Sequence, residues 1–492
     1  MGREEQIIHE RLRKLEELRK QGINPYPHQF EKKQDSSECL KSKLGTKVKT
    51  AGRIMTKRDI GKIAFCELQD SAGKVQIVLQ EKETPKKEFE FFKNYIDAGD
   101  FAGVEGEMFK TKTGQISILV KKIELLSKSI LPLPEKFHGL QDKEERYRKR
   151  HLDLAMNHEV KGAFEKRAQI IDIIKKFLKE KGFIEVETPA LQSVYGGASA
   201  TPFKTHLNAL DIDLFLSISP ELYLKRLVVG GFEKVFTIGK NFRNEGIDKF
   251  HNPEFTMLEF YYAYANYEKL MDMTEEIINK LLGELELKSE IQYNDKKLNF
   301  KMPIKRIKFS KLILDKTGID IEKASTFELL KKEIEKNKLK DVEIKECRHY
   351  GALLDELYKR VVRPSIIQPV FLTNYPVEMI ALAKRNEKNP KIINSFQLII
   401  DGTEIVKAYD ELNDPIDQEN RLKEQSELLR EGDREAMPMD EDFINTLKSG
   451  MPPTAGYGLG IDRLVMLLTN QPSIRDVILF PFMKPEEKLE KK

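Results

Sequence analysis

The chain has little of what marks secreted, membrane or metal-framework proteins. It carries three cysteines in 492 residues, Cys39, Cys66 and Cys347. They form no CxxC pair and have no histidine at ligand spacing, which argues against a disulfide scaffold or a structural zinc site. No uninterrupted apolar run approaches the ~18 residues of a membrane span. The start, Met1-Gly2-Arg3-Glu4-Glu5, leads into a charged helix with no apolar leader core. A cytoplasmic protein without membrane association is the expectation. Charge is nearly balanced, 84 Lys+Arg against 80 Asp+Glu for a net +4, so nucleic-acid binding has to come from local patches. GxxxxGK[ST] and HRD are both absent, which excludes a P-loop or a protein-kinase nucleotide site. Internal repeats and low-complexity tracts are absent too. The length exceeds one core, and two or three domains are expected.

What is there begins with a helix. Ile7, Ile8, Leu12, Leu15 and Leu18 recur at helical spacing, with Arg11, Arg13, Lys14, Arg19 and Lys20 on the other face. A solvated amphipathic helix explains this, and an RNA-backbone contact is the alternative; Asn24-Pro25 ends it. From about Lys47 to Ser127 the sequence reads as short strands: Val48-Thr50-Gly52-Ile54, Ala64-Cys66-Leu68, Val75-Ile77-Leu79, Val104-Gly106-Met108 and Ile116-Ile118-Val120. Five such strands in this span predict a small Greek-key barrel of the OB type, a fold that binds single-stranded nucleic acid on one sheet face. Leu131-Pro132-Leu133-Pro134 marks a linker. The expected organisation is a helical extension over 1–45, the barrel over 46–130, a linker over 131–150 and a larger region over 151–492. That region opens with a helix around Glu165–Lys181. A Lys/Glu-rich insertion is expected at about 266–348.

The chemistry concentrates in three places. Phe242-Arg243-Asn244-Glu245-Gly246 is followed by His251-Asn252-Pro253-Glu254-Phe255-Thr256, and Gly456-Tyr457-Gly458-Leu459-Gly460-Ile461-Asp462-Arg463 comes much later. Two arginines on separate rigid elements suit a bent polyphosphate, because guanidinium forks match phosphate oxygens and stay charged. Phe255 offers a face for an adenine. Glycines without Cβ atoms let a strand approach a nucleotide closely.

These segments resemble motifs 2 and 3 of the class II aminoacyl-tRNA synthetases. Gly182-Phe183-Ile184-Glu185-Val186-Glu187-Thr188-Pro189 resembles motif 1, which in the family builds the dimer interface. The finer wording is similar to the lysyl-tRNA synthetases, in Pro220-Glu221-Leu222-Tyr223-Leu224-Lys225, in Ala408-Tyr409-Asp410-Glu411-Leu412-Asn413-Asp414-Pro415 and in Arg475-Asp476-Val477-Ile478-Leu479-Phe480-Pro481. The resemblance runs from about Arg11 to about Pro485. It implies an α+β fold: a mostly antiparallel sheet flanked by helices, preceded by the OB barrel. It also implies a homodimer that joins L-lysine to tRNA(Lys) with ATP as substrate and Mg²⁺ as cofactor.

By the same resemblance, Arg243 bridges the α-phosphate and the amino-acid carboxylate, while His251 and Arg463 approach the outer phosphates. Arg243 and Arg463 are thus the catalytic pair. Phe255 stacks the adenine, Glu245 contacts adenine or the acceptor end, and Asn252, Glu404 and Gly460 complete the ATP site. Phe65 and Gln76 stack on and read the central anticodon base; strand pattern alone slightly favours Phe65 as a core aromatic, and the resemblance reverses that.

The lysine positions are Gly197, Glu221, Glu259, Tyr261, Lys407, Tyr409 and Glu411. An ammonium substrate needs buried carboxylates, and glutamates flanked by Leu258, Phe260 and Leu412 are poorly explained as solvated faces. Pairing with an internal Arg or Lys is the structural alternative. Two positions depart from the pattern. Lys407 stands where many lysyl enzymes have Asn. Gln397 stands where many have Glu, one of two acids that hold magnesium; the other matches Glu404. Gln397 keeps an oxygen ligand but lacks the charge. Rival readings are an aspartyl or asparaginyl enzyme, a protein-lysylating paralogue, and a non-catalytic RNA-binding regulator.

Overall fold

Alternation of apolar and polar residues organises the first part of the chain. In a computed structural model, which describes residues 2–134, 140 and 142–485, five strands close into a barrel. They are β1 (Lys47–Ile60), β2 (Ile63–Gln69), β3 (Lys74–Gln80), β4 (Phe101–Lys110) and β5 (Ile116–Ser127), ordered β1-β2-β3-β5-β4. Every second residue points inward, so Ala64, Cys66 and Leu68 join one core with Val75, Ile77 and Leu79. The helix Arg3–Lys20 adds Leu18 to that core. Its basic face is structural in large part. Arg11 is buried and donates to the carbonyls of Ala98, Ser129 and Leu131. Arg13 bonds Glu10 at 2.6 Å and also pairs with Glu17, and Lys14 pairs with Asp97. The helix stops at Lys20, and Gly22 turns the chain at φ +73, short of Asn24-Pro25.

The chain divides into two compact units at 141/142. Residues 135–139 and 141 of the expected linker, and 486–492 of the larger region, lie outside the described residues. The remainder of the linker reading needs correction at 142–150. These residues form the helix Lys143–Arg148 and the start of Arg150–Met156, and the buried Arg150 bonds Asp153 at 2.7 Å and the carbonyl of Leu479 at 2.9 Å. They belong to the second unit.

The second unit is built on an eight-stranded sheet. Its strands lie among β6 (Ile184–Glu185), β7 (Leu191–Gln192), β8 (Lys204–Leu207), β9 (Ile212–Leu216), β10 (Lys234–Phe242), β11 (Glu254–Ala263), β12 (Glu290–Tyr293), β13 (Lys296–Asn299), β14 (Lys305–Lys308), β15 (Val370–Thr373), β16 (Ser395–Ile400), β17 (Thr403–Asp410) and β18 (Thr454–Gly460). The order is β14-β15-β16-β17-β18-β11-β10-β6, antiparallel except at the edge pairs β14/β15 and β10/β6. The strands β7, β9 and β8 form a small separate sheet, and β12 and β13 a hairpin. The expected α+β architecture is borne out.

One face of the sheet packs against the helices His158–Glu180, Tyr267–Glu284 and Ile461–Leu468, with Leu258, Phe260, Tyr457 and Leu459 in the shared core. The other face carries Tyr261, Leu372 and Tyr409 into a second core with the helices Glu221–Val229, Phe309–Thr317 and Tyr350–Leu357. Residues 266–348, expected as an insertion, are built into both cores of the second unit. Leu270 to Leu282 serve the first core, Phe309 to Ile334 the second, and β14 forms an edge of the main sheet. The Lys and Glu residues that suggested an insertion decorate the solvent side of helices whose apolar stripes are buried.

Candidate active site

The middle of the large sheet leaves an opening on its second face. Along β18, Ala455, Tyr457 and Leu459 point into the helix-packed core, so Gly456, Gly458 and Gly460 face the opposite way. The three glycines floor a cavity of about 420 Å³. Pairing puts Glu259 of β11, Gly458, Lys407 of β17 and Gln397 of β16 in one row across the sheet. A second row holds Tyr261, Gly456, Tyr409 and Ser395. Gly458 therefore leaves a gap between Glu259 and Lys407, whose backbones lie two strand spacings, roughly 10 Å, apart.

At one end of the gap sit carboxylates. Glu259 is 5% exposed and accepts a hydrogen bond from Ser219 Oγ at 2.9 Å. Burial, reinforced by the charge of Glu221, pushes its pKa up to about 8, against the pull of the Ser219 hydroxyl and of Arg243. Glu221 begins the helix Glu221–Val229. It accepts from the Tyr409 hydroxyl at 2.8 Å and from the Lys225 ammonium at 2.6 Å. Gly197, at φ +84, closes the turn above it; a Cβ there would lie 2.8 Å from Glu221 Cβ and 2.9 Å from Ser219 Oγ. Tyr261 completes this end.

Glu411 is placed differently from its expected role. It does not line the cavity. Its carboxylate packs directly onto the second face of Gly456, where a Cβ would come within 1.8 Å of Glu411 Oε1, and it pairs with Lys225 at 2.5 Å. Pairing with an internal lysine, the alternative noted from the sequence, is what Glu221 and Glu411 adopt. Lys225 is wholly buried. Desolvation opposes its charge, but the two carboxylates outweigh it and hold the ammonium above its usual range. No motif marks Lys225 as a site residue in the sequence, although its i,i+4 spacing from Glu221 is the signal that could. Glu259 remains the buried acid without an internal cation bonded to it.

The other end is cationic. Arg243, just past β10, stacks its guanidinium on Phe255 of β11, 5.0 Å from the ring centroid. It touches the Ile218 carbonyl at 3.5 Å, and its buried Nε has no hydrogen-bond partner among the described residues. Arg463, in the first turn of Ile461–Leu468, donates to the Glu404 carbonyl at 3.0 Å and to His251 Nε2 at 3.1 Å. His251 Nδ1 lies 2.8 Å from Asp248 Oδ2. Because a guanidinium can only donate, Nε2 accepts and the imidazole carries its proton on Nδ1. Asp462 fixes this turn: it accepts from the Thr256 amide and from Arg167, each at 2.6 Å. Burial draws the Arg463 pKa down. The charge of Glu404 opposes this, while those of Arg243 and Arg363 add to it.

Exposed Glu245 lies on the loop after Arg243, and Asn252 bonds the Glu254 carbonyl at 2.6 Å; both line the cavity, as do Glu404 and Gln397. The Gln397 amide oxygen accepts from the buried Tyr375 hydroxyl at 2.6 Å. Among the described residues no group of three or more His, Cys, Asp and Glu gathers to hold a metal ion. One carboxylate and one engaged amide fit a single Mg²⁺ shared with phosphates, not a protein cage. Asp355, Lys359 and Arg363, four residues apart, face the cavity from a helical wall; the sequence reading did not single them out.

Phe65 and Gln76 belong to the barrel unit. Phe65 lies between the inward-facing Ala64 and Cys66 and is half-buried, so it faces outward rather than into the core. Gln76 accepts from Ser117 at 2.7 Å. Both line a surface cavity, also about 420 Å³, with Arg58, Glu67 and Gln115.

Comparison with known proteins gives the family. A family model described as tRNA synthetases class II (D, K and N) matches residues 142–484, and one described as an OB-fold nucleic acid binding domain matches 48–126. The chain is a class II tRNA synthetase. It is 48% identical over 492 residues to a lysine–tRNA ligase of Carboxydothermus hydrogenoformans, covering 98% of this chain and 99% of that one. It is 46% identical over 485 residues to a lysine–tRNA ligase of Thermosipho africanus, covering 97% and 95%. A protein named lysine–tRNA ligase 2 of Methanosarcina mazei is 47% identical over 483 residues, covering 97% and 94%. No helix among the described residues of this synthetase is long and apolar enough to cross a membrane.

Proposed function

We propose that this synthetase attaches L-lysine to tRNA(Lys) in two steps, through a lysyl-adenylate made from ATP, in the cytoplasm. The observation that carries the reading is the polarity of the cavity. A buried carboxylate with no internal cation bonded to it, Glu259, faces one end, and Arg243 and Arg463 face the other, across a glycine floor. Lysine fits with its ammonium on Glu259 and its carboxylate toward Arg243 and Lys407. An aspartate substrate would put a second carboxylate against Glu259, which the relatives' names also disfavour.

In the first step a lysine carboxylate oxygen attacks the α-phosphate and pyrophosphate leaves. In the second, a terminal ribose hydroxyl of the tRNA attacks the mixed anhydride carbonyl and AMP leaves. Neither step needs a side-chain nucleophile. Arg243 binds the charge that develops on the α-phosphate, with Phe255 beneath it as the adenine seat, and Arg463, aligned by His251 and Glu404, meets the outer phosphates. Mg²⁺, with Glu404 its principal protein ligand and Gln397 a weaker one, would neutralise and orient phosphate oxygens.

The barrel reads the anticodon with Phe65 and Gln76. Pairing of two chains through 182–189 is supported by the edge position of β6 and by exposed Ile184. A pyrophosphate-exchange screen over all twenty amino acids tests the assignment. Lysine alone should support strong exchange; robust exchange with aspartate and none with lysine would refute it.

A further inference from the structure

We propose that Arg363, with Lys407, binds the triphosphate directly and makes nucleotide binding here only weakly dependent on a divalent cation. This rests on the nucleotide reading above. Arg363 opens a 3-10 turn, Arg363–Ser365, directly after a π-helical turn, Tyr358–Val362. Such π turns redirect side chains and are common at functional sites. Asp355, Lys359 and Arg363 form a stripe four residues apart on the cavity wall. The first two satisfy each other, Lys359 Nζ to Asp355 Oδ2 at 2.6 Å. Arg363 comes last, with Ile367 four residues further on, and its buried Nε has no hydrogen-bond partner among the described residues. Arg243 shares that condition in the same cavity.

Two guanidinium groups with dry, unspent donors, a third held nearby at Arg463, and the ammonium of Lys407 make a same-sign crowd. Glu404 offsets the charge of Arg463 in part; a polyanion would engage the remaining donors, and phosphate oxygens match the guanidinium fork. The metal side of the site is correspondingly thin. Gln397 brings no charge and its oxygen is already engaged by Tyr375, which leaves Glu404 as the acid beside Arg463. Part of the positive charge that metal ions would bring is thus built into side chains.

The test is calorimetric titration of the full chain with ATP and with AMP, each in EDTA and in excess Mg²⁺. The parent should bind ATP in EDTA within about tenfold of its affinity in Mg²⁺. Arg363→Gln and Lys407→Asn should each weaken ATP binding in EDTA by about tenfold or more, yet change AMP binding less than about twofold, since the adenine seat is untouched. The AMP titration also reports that the variants fold. ATP binding by Arg363→Gln equal to the parent's in EDTA, a proportionate loss of ATP and AMP, or a parent that binds ATP only with Mg²⁺ would each overturn the inference alone. A parent that binds neither nucleotide under any condition would instead sink the nucleotide reading on which it rests.

Discussion

Gln397 and Lys407 stand directly opposite each other on β16 and β17, and both line the cavity. Where the related lysyl pattern has an acid facing a neutral amide, this chain has a neutral amide facing a cation, with the Tyr375 hydroxyl holding the amide oxygen. Gln397→Glu restores the acid without disturbing that bond, because a hydroxyl donates to a carboxylate equally well. The Mg²⁺ concentration for half-maximal lysine-dependent exchange should fall. A magnesium titration that overlays the parent's would show that position 397 is not sensed by the reaction.

Glu259 should make lysine binding pH-dependent. With its pKa pushed up to about 8 in the empty site, lysine binding at lower pH must expel a proton. Lysine affinity should therefore rise with pH, by up to about tenfold per unit, and level off above about 8. Glu259→Gln should flatten that profile and weaken lysine use by roughly 2–5 kcal/mol. Stability of the ligand-free protein runs the other way. The native state keeps a proton that the unfolded chain has lost, so this group's contribution is full below about 4.5 and declines as pH rises to about 8. Chemical denaturation across that range, with and without Glu259→Gln, checks the sign.

Lys225→Met removes the cation shared by Glu221 and Glu411 and strands two buried carboxylates. A loss of about 3–5 kcal/mol is expected, read as a lowered unfolding midpoint. Lys225→Met combined with Glu411→Gln should recover part of it. No recovery would mean that packing, not charge, dominates the site.

Phe65→Ala should weaken tRNA charging by about 1–3 kcal/mol, the worth of one stacked base, and leave tRNA-independent exchange unchanged. Equal loss in both assays would mark Phe65 as a folding residue.

Much of this was legible beforehand for a physical reason. Strand alternation is local, so the barrel, the motif strands and the facing of Glu259 could be read from neighbours in sequence. What stayed hidden is long-range. The Lys225–Glu411 pair spans two distant segments, and only the folded chain shows that an apparent substrate acid is already neutralised. Arg363 lies in a turn with no motif around it. The residues from 266 to 348 read as an insertion because helix surfaces carry the charge, while their buried stripes are visible only when packed against the sheet.

The glycines of β18 look like one repeated letter but answer to different demands. At 456 the missing Cβ makes room for Glu411, a neighbour inside the protein, so a methyl group there is a folding lesion. At 458 a Cβ would meet nothing nearer than Met257 Cε at 3.4 Å, and alanine suits a strand better than glycine does. Gly458→Ala should thus leave the apo protein as stable as before or more so, and yet fill the seat between Glu259 and Lys407. Two positions apart on one strand, natural selection would guard the first for architecture and the second for the emptiness it provides.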